Sequence, residues 1–400
     1  MRMTEVFTGS FTQQEPIPEA GIAAAVAVMR HGRLHRYNTA PGEVAETVLL
    51  EQEFAASVGM KYCLAVASGG YAMTTALRAV GVKPGDRVLT NAFTLAPVPG
   101  AIAAVGAVPV FVGVTRDLVL DLEDLTAKAD QGRVLLLSHM RGHICDMERL
   151  MEICDGAGIT VIEDCAHTMG AAWKGKPSGT WGKVGCYSCQ TYKHVNAGEG
   201  GLFVTDDAEL AARAIMYSGS YMMYERHLAG PPKESFETIR FETPNISGRM
   251  DNLRAAILRP QLADLGERRA RWNARYYKIE DGLRATPGLT VIERPAEEEI
   301  VGSSIQFLLE GWSEEAVREV LARCLARGVE LKWFGDADPV GFTSRYDSWR
   351  YVDVPALPES DLVLAGIIDI RVPLTLTLED CALIARIIND EVGRVYQQAA

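Results

Sequence analysis

Short apolar runs alternate with stretches of helical period through the first two-thirds of the chain. Residues 43–58 place their apolar side chains on one face of a predicted helix. Residues 62–67 (Tyr-Cys-Leu-Ala-Val-Ala) form a strand-length run that stops at Ser68-Gly69-Gly70, and residues 71–80 resume as a helix ended by Gly81. After a turn at Pro84-Gly85-Asp86, further strands are predicted at 87–90, 108–112, 134–138, 160–163, 186–188 and 202–205, with helical stretches near 101–105 and 146–157. These strands are continuously apolar rather than alternating. That is the pattern of a mostly parallel sheet covered by helices on both faces, a three-layer α/β domain.

The pattern changes further along. Residues 251–283 carry one long helical period, which Pro260 is expected to bend or interrupt. Strands at 289–292, 305–309 and 329–333 and helices at 314–327 and 378–396 then describe a smaller α/β unit. The division this implies is an N-terminal arm with a large domain over residues 1–265 and a small C-terminal domain over 266–400. The segment before Glu43 has little periodicity and reads as an arm that packs elsewhere. Pro231-Pro232-Lys233 reads as a flexible loop, and Glu297-Glu298-Glu299 as a solvated turn.

Composition narrows the function classes. With 48% hydrophobic and 23% charged residues over 400 positions, the chain has ordinary globular usage and length for two domains. A net charge of −12 argues against nucleic acid as a partner. No apolar run is long enough for a membrane span, and the first residues lack a signal peptide's apolar stretch. The eight cysteines are scattered and several fall inside apolar runs, as buried free thiols do, which points to a reducing, cytoplasmic compartment. Cys186-x2-Cys189 lacks the second pair that a tetrahedral metal site needs, so no metal is expected.

Three features carry candidate chemistry. Ser68-Gly69-Gly70 lies between a strand and a helix, where free N–H groups and the positive helix end suit a phosphate; an ordinary turn is the plainer reading. In Thr160-Val-Ile-Glu163-Asp164-Cys165-Ala166-His167, acids stand at the carboxyl end of a parallel strand, where such folds bind ligands; a helix cap is the alternative. In Ser188-Cys189-Gln190-Thr191-Tyr192-Lys193, a lysine among apolar and aromatic neighbours is a candidate for covalent imine chemistry, against the commoner exposed loop lysine.

Taken together, Ser-Gly-Gly, Glu-Asp-x-x-His and Ser-x4-Lys followed by Gly198-Glu199-Gly200-Gly201 resemble the DegT–StrS family of pyridoxal-phosphate-dependent sugar aminotransferases. Further matching stretches are Lys83-Pro84-Gly85-Asp86-Arg87-Val88, Pro109 to Val114, Ser138 to Met147, and Arg249-Met250 through Gln261-Leu262. The resemblance implies fold type I of the pyridoxal-phosphate enzymes, with pyridoxal 5'-phosphate held covalently by Lys193. Lys193 would also carry the proton in the reaction, Asp164 would face the pyridine nitrogen, and His167 would lie near the ring's 3′ oxygen. Ser68, Gly69, Gly70, Ser188 and Gln190 would contact the cofactor, and Phe93 or Leu95 would lie against the ring. It also implies an amino-acid donor, glutamate or glutamine. The acceptor would be a keto group on a nucleotide-linked sugar, a keto-octulosonate or a cyclitol. A homodimer with shared active sites follows as well, Asn245 and Arg249 reaching the neighbouring subunit's site.

The chain departs from the family pattern in three places. Gly70 stands where a threonine is usual, Leu95 where a stacking aromatic is usual, and Ser247 where an asparagine is usual, with Asn245 two residues earlier. Relatives that replace the lysine with histidine dehydrate sugars; Lys193 is present here, with His194 beside it. The other readings are a lyase or dehydratase on the same fold, for which Cys165 is the available thiol, and a catalytically silent sensor that binds the cofactor. The aromatic residues Trp333, Tyr346, Trp349 and Tyr351, with Arg345 and Arg350, read as a partly buried loop or as the lining of a polar ligand's pocket.

Overall fold

The computed structural model describes residues 5–399. Seven strands form the main sheet: β1 (Tyr62–Val66), β2 (Arg87–Asn91), β3 (Val108–Val112), β4 (Val134–Ser138), β5 (Thr160–Asp164), β6 (Val184–Ser188) and β7 (Gly201–Thr205), in the order β1-β7-β6-β5-β4-β2-β3. Every pairing is parallel except those of β7, which runs against both β6 and β1. The continuous apolar strands follow from burial on both faces. In β4, Val134 and Leu136 enter one apolar cluster, and Leu135 and Leu137 enter another on the opposite face. In β1, Leu64 and Val66 likewise face away from Cys63 and Ala65. Each such fully buried aliphatic side chain contributes ~1.5–3 kcal/mol.

The small sheet is antiparallel. It consists of β8 (Thr290–Val291), β9 (Ser304–Leu308), β10 (Lys332–Trp333) and β11 (Ile367–Arg371), in the order β8-β9-β11-β10. One face packs Ile305, Phe307, Ile368 and Ile370 into an apolar cluster with the helices Leu265–Leu283, Glu314–Ala326 and Leu378–Ala399. Strand β11 is absent from the sequence expectations: Asp369 and Arg371 interrupt its apolar run, although it lies at the centre of this sheet.

Four other expectations change. The N-terminal arm contains a helix, α1 (Glu19–His31), that packs on Asn252–Ala263. Its buried face is Gly21, Ala25 and Val28, small residues that give an alanine-rich segment little hydrophobic contrast. The 251–283 helix is two helices, and the break falls at Asp264 rather than at Pro260. Next to the proline, the side chain of Gln261 donates to the Ile257 and Asn196 carbonyls, which ties the last turn in place. Pro232 leads into a short 3₁₀ turn, Lys233–Phe236, anchored by the buried Phe236. Glu298 is buried rather than solvated: it accepts from Ile144 N–H at 2.9 Å and pairs with Arg294 at 2.8 Å.

All eight cysteines are buried and free, and Cys186 and Cys189 enter opposite apolar clusters. Among the described residues no helix is long and apolar enough to cross a membrane.

Candidate active site

Three neighbouring parallel strands end in polar side chains: β4 at Ser138, β5 at Asp164 and β6 at Ser188. The carboxyl edge of such a sheet is where ligands bind, because the helices that follow leave a crevice with free N–H groups. A cavity of about 460 Å³ opens there. It is lined by Ser68, Gly69, Gly70, Asp164, His167, Ser188, Gln190 and Lys193, all implied by the resemblance.

The turn at its base is fixed by close packing. Ser68 caps the helix Gly69–Ala79, its hydroxyl accepting from Tyr71 N–H at 3.1 Å. A Cβ at Gly69 would lie 2.9 Å from the Ser188 Cβ, and one at Gly201 would lie 2.3 Å from the Ser68 carbonyl oxygen. Glycine at these two positions lets β6 and β7 close on the turn. A Cβ at Gly70 would meet nothing nearer than the Ser68 hydroxyl at 3.9 Å, so that side of the turn opens to the cavity.

Asp164 is buried and engaged on both oxygens, accepting from the Ser138 hydroxyl at 3.0 Å and from Ala166 N–H at 3.1 Å. Burial raises its pKa; the Ala166 N–H, Lys193 and Ser138 oppose the rise. Lys193 sits on a turn closed by its N–H to the Gln190 carbonyl at 2.8 Å, and Gln190 Oε1 accepts from Tyr192 N–H at 2.9 Å. The Lys193 Nζ lies 3.3 Å from His167 Nε2. Burial lowers the ammonium pKa to about 7, with Arg141 and Arg371 pushing the same way and Asp164 against. His167 is held neutral by burial and by the cations Lys193 and Arg141. A neutral amine beside a neutral imidazole at near-neutral pH is a competent nucleophile and proton carrier.

Neighbouring motif residues do different work. The Glu163 carboxylate accepts from Gly179, Trp181 and Gly182 N–H, all at 2.8 Å, and pairs with His139 at 3.0 Å, which fixes the loop after β5. His194 turns away from the cavity onto Trp272, its Nε2 2.9 Å from the Ser303 hydroxyl, and burial lowers its pKa to about 3. The Cys165 thiol is buried against Ser178, and burial pushes its pKa well up, so it is no nucleophile.

Three implied residues lie elsewhere. Phe93 is buried edge-on against Phe334, ring centroids 5.1 Å apart, and Leu95 lines the cavity in its stead. The chain bends at residues 92–93 directly after β2, and the bend turns Phe93 into the core cluster that holds Phe334. Asn245 lies on the exterior, its side-chain oxygen accepting from Tyr221 N–H at 2.9 Å. Arg249 donates to the Gly219 carbonyl at 2.5 Å with its guanidinium over the Tyr221 ring.

Residues that sequence reasoning did not assign also line the cavity. Arg141, Glu199 and Arg371 bring charge, and Phe342 and Ser344 come from the segment between β10 and β11. The aromatic loop thus divides: Trp349 faces the cavity, while Trp333 and Tyr346 are buried in the core. Arg141 was within reach of motif reading, since it stands in the Ser138–Met147 stretch.

A seven-stranded, mostly parallel sheet with a lysine, an aspartate and a helix N-terminus converging at its carboxyl edge defines the fold type I architecture of pyridoxal-phosphate enzymes. The chain belongs to the DegT/DnrJ/EryC1/StrS aminotransferase family, matched over residues 19–389. It is similar to the 3-amino-5-hydroxybenzoate synthase of Amycolatopsis mediterranei (strain S699), 34% identical over 60% of each chain. It is also similar to the GDP-perosamine synthase of Escherichia coli O157:H7, 33% identical over 44% of this chain and 49% of that one. The curated relatives are matched over 40% to 60% of their own length. Among solved structures, that of a 3-amino-5-hydroxybenzoic acid synthase superposes with a TM-score of 0.82 at 26% identity, over 98% of this chain and 100% of that one.

Proposed function

We propose that the protein is a pyridoxal-phosphate-dependent aminotransferase that moves an amino group from glutamate or glutamine to a keto group of a sugar, keto-octulosonate or cyclitol. The observation that carries this reading is the Lys193 amine, its pKa lowered to about 7, 3.3 Å from His167 in a cavity that also holds Asp164 and the Ser68 turn. Family membership and relatives named as makers of an aminated benzoate and of perosamine support it.

The residues fit the cofactor. A glycine-lined helix N-terminus offers free N–H groups to a phosphate, with the Ser188 hydroxyl beside it. Asp164, at the cavity wall, offers a carboxylate to a ring nitrogen, and Lys193 offers an amine to an aldehyde. When bound, pyridoxal phosphate supplies an amine-capturing carbonyl and a ring that draws electrons from the attached substrate carbon.

The chain's own part follows from the geometry. Ser68, Gly69, Gly70 and Ser188 would hold the phosphate end. Asp164, kept in place by Ser138 and Ala166, would keep a proton on the ring nitrogen. Lys193 would hold the group through its amine and, as a neutral amine, would carry the proton of the reaction, with His167 within hydrogen-bond distance.

Lysine at position 193 favours transamination over the dehydration seen where the resemblance has histidine. Two subunits would share sites through Asn245 and Arg249, which lie outside this chain's own cavity. Eight buried free thiols support a cytoplasmic location. The test uses glutamate labelled with ¹⁵N in the amino group and a panel of keto sugars and keto cyclitols. Label appearing in an aminated sugar or cyclitol is the expected result; conversion of glutamate by no member of the panel, or label released only as ammonia, would overturn the reading.

A further inference from the structure

His194 follows Lys193 directly, yet its ring leaves the cavity and is fully buried. It packs T-shaped on Trp272, ring centroids 5.1 Å apart. Its Nε2 lies 2.9 Å from the Ser303 hydroxyl, and its Nδ1 is buried with no partner among the described residues. Burial, with the cations Lys193 and Arg268 acting in the same direction, keeps the ring neutral. A neutral imidazole carries one N–H and one lone pair, so the place of that single proton decides what Ser303 can do.

A proton on Nδ1 would be a buried donor without an acceptor, close to two cations that disfavour it. Orphaned buried N–H groups are rarer than under-satisfied acceptors, and an unmade donor costs its full desolvation. The proton therefore sits on Nε2 and is donated to Ser303 Oγ. Ser303 then accepts from His194 and keeps its own O–H, which makes no other hydrogen bond among the described residues.

The backbone holds this serine on both sides. Its N–H donates to the Val301 carbonyl at 2.8 Å, and its carbonyl accepts from Val372 N–H at 2.9 Å. Gly302 N–H donates to Asn273 Oδ1 at 2.8 Å, and a Cβ at Gly302 would lie 2.4 Å from the Tyr276 Cβ. Ser303 thus stands at a fixed point before β9, and it lines the cavity that holds Lys193 and His167. Ser304, Thr343 and Ser344 line the same cavity with further uncharged hydroxyl residues.

We propose that Ser303 donates a hydrogen bond to a hydroxyl or keto oxygen of the acceptor, and that His194 is the positioning residue that leaves the serine's proton free to do so. The inference rests on the aminotransferase reading for the chemistry of the acceptor, and deepens it with a residue that selects uncharged, oxygen-bearing rings. A site that hydrogen-bonds a substrate oxygen rejects the analogue lacking it.

Two measurements on the cofactor-loaded enzyme test it. Proton–nitrogen correlation spectra of histidine-labelled protein, with the His194 signals identified by their loss in His194→Phe, read the tautomer. The proton should be on Nε2; a proton on Nδ1, or on both nitrogens, would overturn the proposal without any variant having to act. Calorimetry then uses the unreactive polyols myo-inositol and methyl glucoside, with glutarate as a charged control. Polyol affinity should fall about 3- to 10-fold in Ser303→Ala, the range for one neutral hydrogen bond, and by no more than that in His194→Phe. The double variant should bind no more weakly than Ser303→Ala alone, since both changes act through one proton. His194→Gln, which supplies another N–H, should recover part of the loss, and glutarate affinity should stay within two-fold throughout. A wild type that binds neither polyol, a Ser303→Ala or His194→Phe variant that binds them as wild type does, losses that multiply in the double variant, or a loss confined to glutarate would each count against it. Failure of the aminotransferase reading looks different: the polyols respond as expected, but no amino group moves from glutamate.

Discussion

Replacing Lys193 with methionine should stabilise the cofactor-free protein, and the gain should fade as pH rises. Burial holds the Lys193 ammonium at about 7 against an ordinary 10.5. Below pH 7 the amine is charged in both states, and the folded protein carries the whole cost of burying it. Between 7 and 10.5 the folded chain has lost a proton that the unfolded chain keeps, so wild-type stability climbs with pH through that window. Above 10.5 the amine is neutral in both states and the cost is gone. One pKa unit is ~1.4 kcal/mol, so the full shift sets a ceiling of ~5 kcal/mol. The amine is half-buried and keeps some hydration, which brings the expected gain to about 1–3 kcal/mol at pH 6.5. Melting of cofactor-free wild type and Lys193→Met at pH 6.5, 8 and 9.5 reads this directly. The variant should melt higher at pH 6.5, and the two curves should converge toward pH 9.5. A difference that does not change with pH, or a wild type that melts higher at pH 6.5, would refute the argument that burial sets this pKa.

Asp164→Asn should fold and bind cofactor but lose several kcal/mol of transition-state stabilisation, since an amide cannot keep a proton on a ring nitrogen; single-turnover rates with glutamate near those of wild type would contradict this. Gly201→Ala would put a Cβ 2.3 Å from the Ser68 carbonyl, so the turn must shift. Cofactor affinity should fall by about tenfold or more, while Gly70→Ala, which meets only open space, should change it little; equal affinities would contradict the close-approach argument. Mixing inactive Lys193→Ala and Arg249→Ala chains should restore activity in hybrid dimers. Subunit exchange confirmed by mass, with no activity regained, would count against shared sites.

How much was legible follows from what each segment contrasts with. Strands β1 to β7 stood out because both faces are buried, which leaves uninterrupted apolar runs between polar turns. The catalytic candidates were legible because Asp164 and Ser188 end such runs and the glycines around them have backbone neighbours too close for a side chain. Helix α1 was not, since its buried face of Gly21, Ala25 and Val28 is no more apolar than the rest of an alanine-rich stretch. β11 was hidden by the two charges on its polar face, and those charges are what bring Arg371 to the cavity. The choice between Phe93 and Leu95 depends on which way one loop residue turns after β2, and hydrophobicity is silent there because both are apolar. Glu298 read as solvent-facing because the Ile144 N–H it accepts from belongs to a segment distant in the chain, although its ion-pair partner Arg294 stands only four residues away.

The proposed function stands on covalent attachment of the cofactor at Lys193, in a cavity built by Asp164, His167 and the Ser68 turn. Borohydride reduction of the cofactor-loaded enzyme, followed by proteolysis and mass analysis, reads that attachment. A reduced pyridoxyl group is expected on the peptide containing Lys193 and on no other, with the visible absorbance lost on reduction. A pyridoxyl group on a different lysine, or a protein that binds pyridoxal phosphate with no reducible link, would contradict it.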